Sequence, residues 1–266
     1  MKAQRFTEKK PDRFAVFLDG EKSFEEFSLT EHTFPAAIAI DGPAASGKTT
    51  IGKMLADRLG YLFLDTGSMY RAATWAALQR GLDFNDEAVI EALAEQIDIH
   101  IENANEAVDG YHYTVYVDGQ NVTLELRIQA VDRHVSQVSA YAGVRRQMVK
   151  LQQAYGDRGR VVMVGRDIGT VVLPQAPLKL YVVASAEERA QRRWLERRDK
   201  GDSLSYETIL ADVIRRDKID SGREHSPLRP ADDAVMIDSS GREPALILEE
   251  ILQLPCFTHP IGSALD

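Results

Sequence analysis

The sequence predicts a doubly wound α/β domain built on a parallel sheet, and three observations predict it. Short apolar runs without polar alternation recur at 36–41, 61–64, 161–164 and 178–183, as expected of strands buried on both faces. Stretches with apolar residues at helical spacing fall between them, such as Ile51, Leu55 and Leu59. The first strand runs directly into a glycine-rich turn and then into a helix, the opening of a strand–helix–strand unit.

Taken in order, residues 1–35 read as an N-terminal extension, with a short strand at 13–19. The strand at 36–41 is followed by a helix over 48–59 and a strand at 61–64. A helix over 67–79 follows, rich in alanine, closed by Gly81 and capped by Thr66 or Ser68. Polar and apolar residues alternate over 97–101 and 113–117, and Asp118-Gly119 is a hairpin signal, so a small β-rich insert is expected over 97–124. Helices near 125–135 and 139–155 precede the strands at 161–164 and 178–183. Two charged helices, 186–200 and 204–218, lead to a strand at 234–237 and a helix over 244–252. Residues 255–266 read as a C-terminal tail.

Hydrophobic residues make up 44% of the 266, which is enough for a buried core. No apolar run reaches membrane-span length, and the first thirty residues show no secretory pattern. A single cysteine, Cys256, excludes an internal disulfide or a cysteine-based zinc cluster and fits a cytoplasmic location. The net charge of −9 argues against a nucleic acid polymer as partner. Nine arginines nonetheless lie between 189 and 229, a basic zone suited to a small anion.

Residues 42–49, GPAASGKT, fit G-x-x-x-x-G-K-[ST] at every fixed position, between a strand and a helix. Such a turn aims consecutive backbone N–H groups at phosphate oxygens, and the helix N-terminus adds its dipole. The nucleotide-binding set is therefore Gly42, Pro43, Ala44, Ala45, Ser46, Gly47, Lys48, Thr49 and Thr50. Lys48 is placed to reach the β- and γ-phosphates, and the Thr49 hydroxyl to ligate Mg²⁺ directly.

Two further polar turns sit at strand ends, where open α/β sheets bind ligands. Residues 65–71, DTGSMYR, contain an arginine able to clamp a phosphate, although Thr66 or Ser68 also serves as a plain helix cap and Tyr70 also suits a core position. Residues 165–170, GRDIGT, place an Arg-Asp pair at a third strand end. The charged stretch 215–229, broken by Gly222 and Pro227, reads as a lid whose arginines follow the charge of a phosphoryl group in transfer.

Together, DGPAASGKTT, LDTGSMYR, SQVSAYAGVRR, GRDIGTVV and RRDKIDSGREHSPL resemble the bacterial cytidylate kinase family, in that order and spacing, over about 36–254. The resemblance implies a P-loop nucleoside monophosphate kinase: a parallel sheet flanked by helices, a monophosphate-binding region about 66–156 enlarged by the β-rich insert, and a lid about 215–229. It implies transfer of the γ-phosphoryl group of ATP to CMP or dCMP, with Mg²⁺. By similarity, Arg71 and Arg166 grip the acceptor phosphate, with Arg223 reaching in from the lid. Ser136, Arg145 and Asp167 read the cytosine ring, Thr66 and Tyr70 line the acceptor pocket, and Arg216 and Asp220 contact the sugar. Lys48, Arg166, Arg216 and Arg223 would carry the catalytic charge. No membrane partner is implied, and a monomer is expected.

One departure stands out. Family members often carry an acidic residue just before the Gly-Arg-Asp triplet, and here the position is Val164. Asp41 and Asp65, at strand ends, are the candidates to support Mg²⁺ in its place. The competing readings are a P-loop kinase with another acceptor, such as UMP, AMP or a small alcohol, and a nucleotide-binding regulator with weak catalysis.

Overall fold

A computed structural model describes residues 34–108, 111–199, 201, 203–223 and 226–258. The expected strand at 13–19, nearly all of the extension, and the tail beyond 258 lie outside the described residues. The chain opens with β1 (Ala37–Asp41), α1 (Lys48–Leu59), β2 (Leu62–Asp65), α2 (Thr66–Gln79) and α3 (Glu87–Gln96). An insert follows, β3 (Ile99–Val108), β4 (Tyr111–Val117) and β5 (Gln120–Asn121), then a 3₁₀ turn at Glu125–Arg127, α4 (Gln129–Val138) and α5 (Ala142–Asp157). The remainder is β6 (Val161–Gly165), a π-helical turn at Ile168–Val172, β7 (Leu178–Val183), α6 (Ala186–Asp199), α7 (Tyr206–Ser221), β8 (Val235–Asp238), α8 (Pro244–Leu252) and a short α9 (Pro255–Thr258).

Five strands form a wholly parallel sheet in the order β2-β6-β1-β7-β8. The central β1 is buried along its whole length, which accounts for its unbroken apolar sequence. Register then decides where function can sit. Asp41 pairs with Gly165, and Asp65 pairs with Val164. The turns that follow β2, β6 and β1 therefore leave the same edge of the sheet side by side, which brings together residues as far apart in sequence as Asp41 and Gly169, 128 positions.

The insert forms its own antiparallel sheet, β3-β4-β5. Its tight turn uses Asp118 at φ 50° and Gly119 at φ 78°, the two positive values that a hairpin of this length favours. The Tyr155 hydroxyl donates to the Ile101 carbonyl at 3.1 Å and accepts from the Ile101 amide at 2.8 Å, fastening the insert to α5.

Several expectations need correction. Residues 87–96, given no element in the sequence reading, form α3, with the Asp86 side chain accepting from the Val89 amide at 3.2 Å. Helix α2 is capped by Asp65, which accepts from the Gly67 amide at 3.0 Å. The Thr66 hydroxyl instead donates to the Val164 carbonyl, and that of Ser68 to the Asp65 carbonyl. The expected lid is helical over its first half, since α7 runs to Ser221 before Gly222 ends it. The packed chain also continues past 254, because Phe257 on α9 is buried against Phe34. Among the described residues no helix is long and apolar enough to cross a membrane.

Gly52, inside α1, marks the closest approach of this helix to the sheet. A Cβ there would lie 2.6 Å from Val164 Cγ1 and 3.3 Å from the Phe63 ring. Gly52→Ala is therefore expected to destabilise the fold by about 1–3 kcal/mol, despite the better helix propensity of alanine. Urea unfolding checks this, and the loss should shrink in a Val164→Ala background if the two side chains compete for one space.

Candidate active site

The phosphate cradle is shaped by its glycines and tied to the sheet. Gly42 has φ 151°, and a Cβ there would lie 2.2 Å from the Val182 carbonyl oxygen, so no side chain fits. Gly47, at φ 87°, turns the chain into α1 without a side-chain cap, which leaves the helix's first N–H groups directed into the loop. Ser239, following β8, donates from its hydroxyl to the Ser46 carbonyl at 2.8 Å. Arg189 on α6 donates to the Ala44 carbonyl at 3.2 Å and grips Asp217 of α7 through both Nη atoms, at 3.0 and 2.5 Å. Thus α6, α7 and the turn after β8 all brace the loop.

Lys48 is buried and donates to the Pro43 carbonyl at 2.9 Å, lying back across its own loop. Burial, and then the neighbouring Arg166, push its pKa well below the usual lysine value, against the opposing pull of Asp65, Asp41 and Asp220. A lysine so placed gains strongly from added phosphate charge. Thr49 and Thr50 are exposed in the first turn of α1.

The turn after β6 is held from β1. The Asp41 carboxylate accepts from the Ile168 amide at 2.8 Å and the Gly169 amide at 2.7 Å, so an aspartate on another strand caps the π-helical turn. Asp41 thereby has both oxygens committed and makes a poor candidate to support a metal. The carboxylate of Asp65 uses one oxygen on Gly67 and is partly exposed.

Two clusters gather most of the predicted acceptor residues. In the first, Arg145 on α5 pairs through Nη2 with Asp167, both buried, and its guanidinium lies 5.6 Å from the centroid of the Tyr70 ring. The Nε of Arg145 is buried without a hydrogen-bond partner among the described residues, and the buried Tyr70 hydroxyl lies against the Gln152 side chain. Burial pushes the Tyr70 hydroxyl up to about 12, so it stays protonated. Ser136 touches this cluster only indirectly: its carbonyl accepts from the Ser139 hydroxyl, and the Ser139 carbonyl accepts from Arg145 at 3.2 Å.

In the second cluster, Asp220 receives Arg166 Nε at 2.8 Å and also Arg223 Nη2. Burial alone would raise the Asp220 pKa, and the two guanidiniums outweigh it, holding the carboxyl below its ordinary value. Asp220, expected at the sugar, here bridges two arginines expected at phosphates. The buried Nε of Arg216 faces Asp212 Oδ2 at 3.5 Å, an ion pair without hydrogen-bond geometry. Arg71 belongs to neither cluster. Its Nη1 donates to the Leu126 carbonyl at 2.9 Å and its Nη2 to Asp132 at 2.7 Å.

Sequence reading missed Arg189 and Ser239 as supports of the cradle. Arg189 stood among nine arginines with no motif to single it out, and its partner Asp217 is 28 residues away.

Asp41 offers a titration test. Burial, the largest cause, raises its pKa from the ordinary 3.8 to about 6, against the lowering effect of the two amides. A folded-state pKa above the unfolded value means that this group's contribution to stability is full below the unfolded pKa and is lost as pH climbs through about 6. A ¹³C-carboxyl NMR titration is expected to give a midpoint near 6 for Asp41, and a midpoint at the ordinary value would show that the amides dominate.

The family described as Cytidylate kinase matches residues 38–255. The cytidylate kinase of Bacillus licheniformis is 47% identical over 217 residues, covering 82% of this chain and 94% of that protein. The cytidylate kinase of Enterococcus faecalis is 48% identical over 216 residues, covering 81% and 92%. That of Bacillus subtilis is 45% identical over 217 residues, covering 82% and 95%. With the match covering 38–255, which includes all three strand-end turns, the chain belongs to the cytidylate kinase family.

Proposed function

We propose that the chain transfers the γ-phosphoryl group of ATP to CMP or dCMP, giving CDP or dCDP. The observation that carries the choice of acceptor is the buried Arg145–Asp167 pair beside Tyr70, at the turn next to the phosphate cradle. Cytosine presents an exocyclic amino donor, which the Asp167 carboxylate accepts, and carbonyl and ring-nitrogen acceptors, which suit Arg145 and Ser136. Thr66 and Tyr70 line the pocket. Uracil would set its carbonyl against the carboxylate, two acceptors with no proton to share.

Arg71, Arg166 and Arg223 grip the acceptor phosphate, and Arg216 and Asp220 contact the sugar. Binding replaces one anion by another: as the phosphate enters, Arg166 and Arg223 shift part of their hydrogen bonding from Asp220 to its oxygens. Residues 42–50 cradle the ATP phosphates, with Lys48 drawn from Pro43 onto the β- and γ-oxygens. An acceptor phosphate oxygen then bonds to the γ-phosphorus while the bond to the β–γ bridging oxygen breaks, and ADP leaves. The acceptor phosphate has its second pKa near about 6, so it is largely dianionic at neutral pH and no side-chain base is needed. Lys48, Arg166, Arg216 and Arg223 supply fixed positive charge where negative charge spreads.

The donor chemistry fits Mg²⁺. No group of three His, Cys, Asp or Glu among the described residues could hold a metal alone, and Mg²⁺ typically takes one or two protein oxygens with phosphate oxygens and water. The exposed Thr49 hydroxyl and the partly exposed Asp65 carboxylate are the residues that would hold it. Held there, the ion would neutralise part of the charge on the phosphates.

The test is ADP production from Mg-ATP with CMP, dCMP, UMP, AMP, dTMP or no acceptor. Turnover with CMP and dCMP alone is expected, and a preference for another monophosphate would overturn the acceptor assignment. Lys48→Ala should lower kcat by about 10²–10³ without changing the circular dichroism spectrum. Asp167→Asn should reduce the CMP-over-UMP ratio of kcat/KM by about 100-fold. An unchanged ratio would remove Asp167 from base recognition.

A further inference from the structure

Asp132 was given no role by the sequence, and it lies 61 residues from the arginine it holds. It sits in the first turn of α4, where the helix dipole favours a negative side chain. Its Oδ1 receives Arg71 Nη2 at 2.7 Å, and the Leu126 carbonyl, just ahead of the same helix, receives Arg71 Nη1 at 2.9 Å. We infer that Asp132 is a positioning residue for the acceptor-phosphate grip, fixing the Arg71 guanidinium by one side so that its free donors face the ligand. The inference rests on the reading of Arg71 as a phosphate-binding residue.

A guanidinium has five N–H donors in a planar fork, and the two anchors use one on each Nη, leaving three for phosphate oxygens. Anchoring also removes rotamer freedom before the ligand arrives, so less is lost on binding. The carboxylate has an electrostatic role beside the geometric one. Arg216 feels Arg71 and Arg166 as like charges, and both Arg216 and Arg193 feel Asp132 as an opposite one. Asp132 thus offsets the mutual repulsion of arginines that α2, α6 and α7 bring toward one place. Its own side chain is 28% exposed, against 14% for Arg71, so losing it leaves the core intact.

The experiment compares Asp132→Asn and Asp132→Ser with Arg71→Ala and the unaltered chain. It measures kcat, KM for CMP, KM for ATP, the CMP dissociation constant by calorimetry, and Tm. Both Asp132 variants are expected to raise KM and Kd for CMP about tenfold, the low end for loss of a charge-assisted hydrogen bond. KM for ATP should stay unchanged and kcat should stay within about threefold, the signature of lost acceptor binding. Unchanged CMP binding in both variants, with or without a lower Tm, would overturn the inference, as would tighter CMP binding, which would make the carboxylate a mere competitor of the phosphate. Arg71→Ala separates the two levels. If it leaves CMP binding unchanged, the reading of Arg71 fails; if it weakens binding while the Asp132 variants do not, the positioning role alone fails.

Discussion

The site depends on one buried carboxylate. Asp41 ends the central strand of the sheet, and its two oxygens hold the first two amides of the turn that follows the neighbouring strand. Burying a carboxylate is costly, and two backbone N–H donors offset part of that cost while fixing direction. The residue after Asp41 begins the phosphate cradle, and the residues before Ile168 are Arg166 and Asp167. A single side chain therefore sets the glycine-rich loop after β1 and the turn after β6 in a fixed relation. Phosphoryl transfer needs that relation, because in-line geometry between two bound phosphates contributes more than any proton transfer here.

Around this frame the arginines are paired with carboxylates: Arg145 with Asp167, Arg166 and Arg223 with Asp220, Arg71 with Asp132, Arg189 with Asp217. Buried and half-buried pairs of this kind are weak sources of stability, since desolvation cancels much of the attraction. Their value lies in order. Each guanidinium is held by its carboxylate, and among the described residues the buried Nε atoms of Arg145 and Arg223 make no hydrogen bond. A chain of net charge −9 thus matches its concentrated basic centre with carboxylates of its own.

The sheet and the cradle were legible in the sequence because their signals are local. An unbroken apolar run, a glycine that no side chain can replace and a period of three to four residues each lie within a dozen positions. The bounds of β7 and of helices α1 and α8 follow from such patterns alone. The signal for α3 was equally local, with Asp86 as cap and Ile90, Leu93 and Ala94 on the buried face, and went unread. The cap of α2 was misassigned because Thr66 and Ser68 are both competent caps, and only the backbone path selects Asp65. The carboxylates that order the arginines were illegible for a different reason. Asp132 and Asp217 meet their partners from 61 and 28 residues away, and nothing in their neighbourhoods distinguishes them from solvated acids. Asp220 was singled out by resemblance, yet its bridging of Arg166 and Arg223 depends on how α7 packs.

Val164 shows how packing and chemistry are divided between adjacent strands. It pairs in register with Asp65, so the two side chains point to the same face of the sheet, the face that α1 covers at Gly52. Gly52 brings the helix so close that position 164 is fully buried, and a branched apolar side chain fills that space. An acid in the same place would need a partner for its charge, and three nearby donors are engaged: the Ile168 and Gly169 amides with Asp41, and the Thr66 hydroxyl with the Val164 carbonyl itself. The valine thus seals the interface between helix and sheet, and a partly exposed carboxylate stands one strand over, on Asp65 at the start of α2.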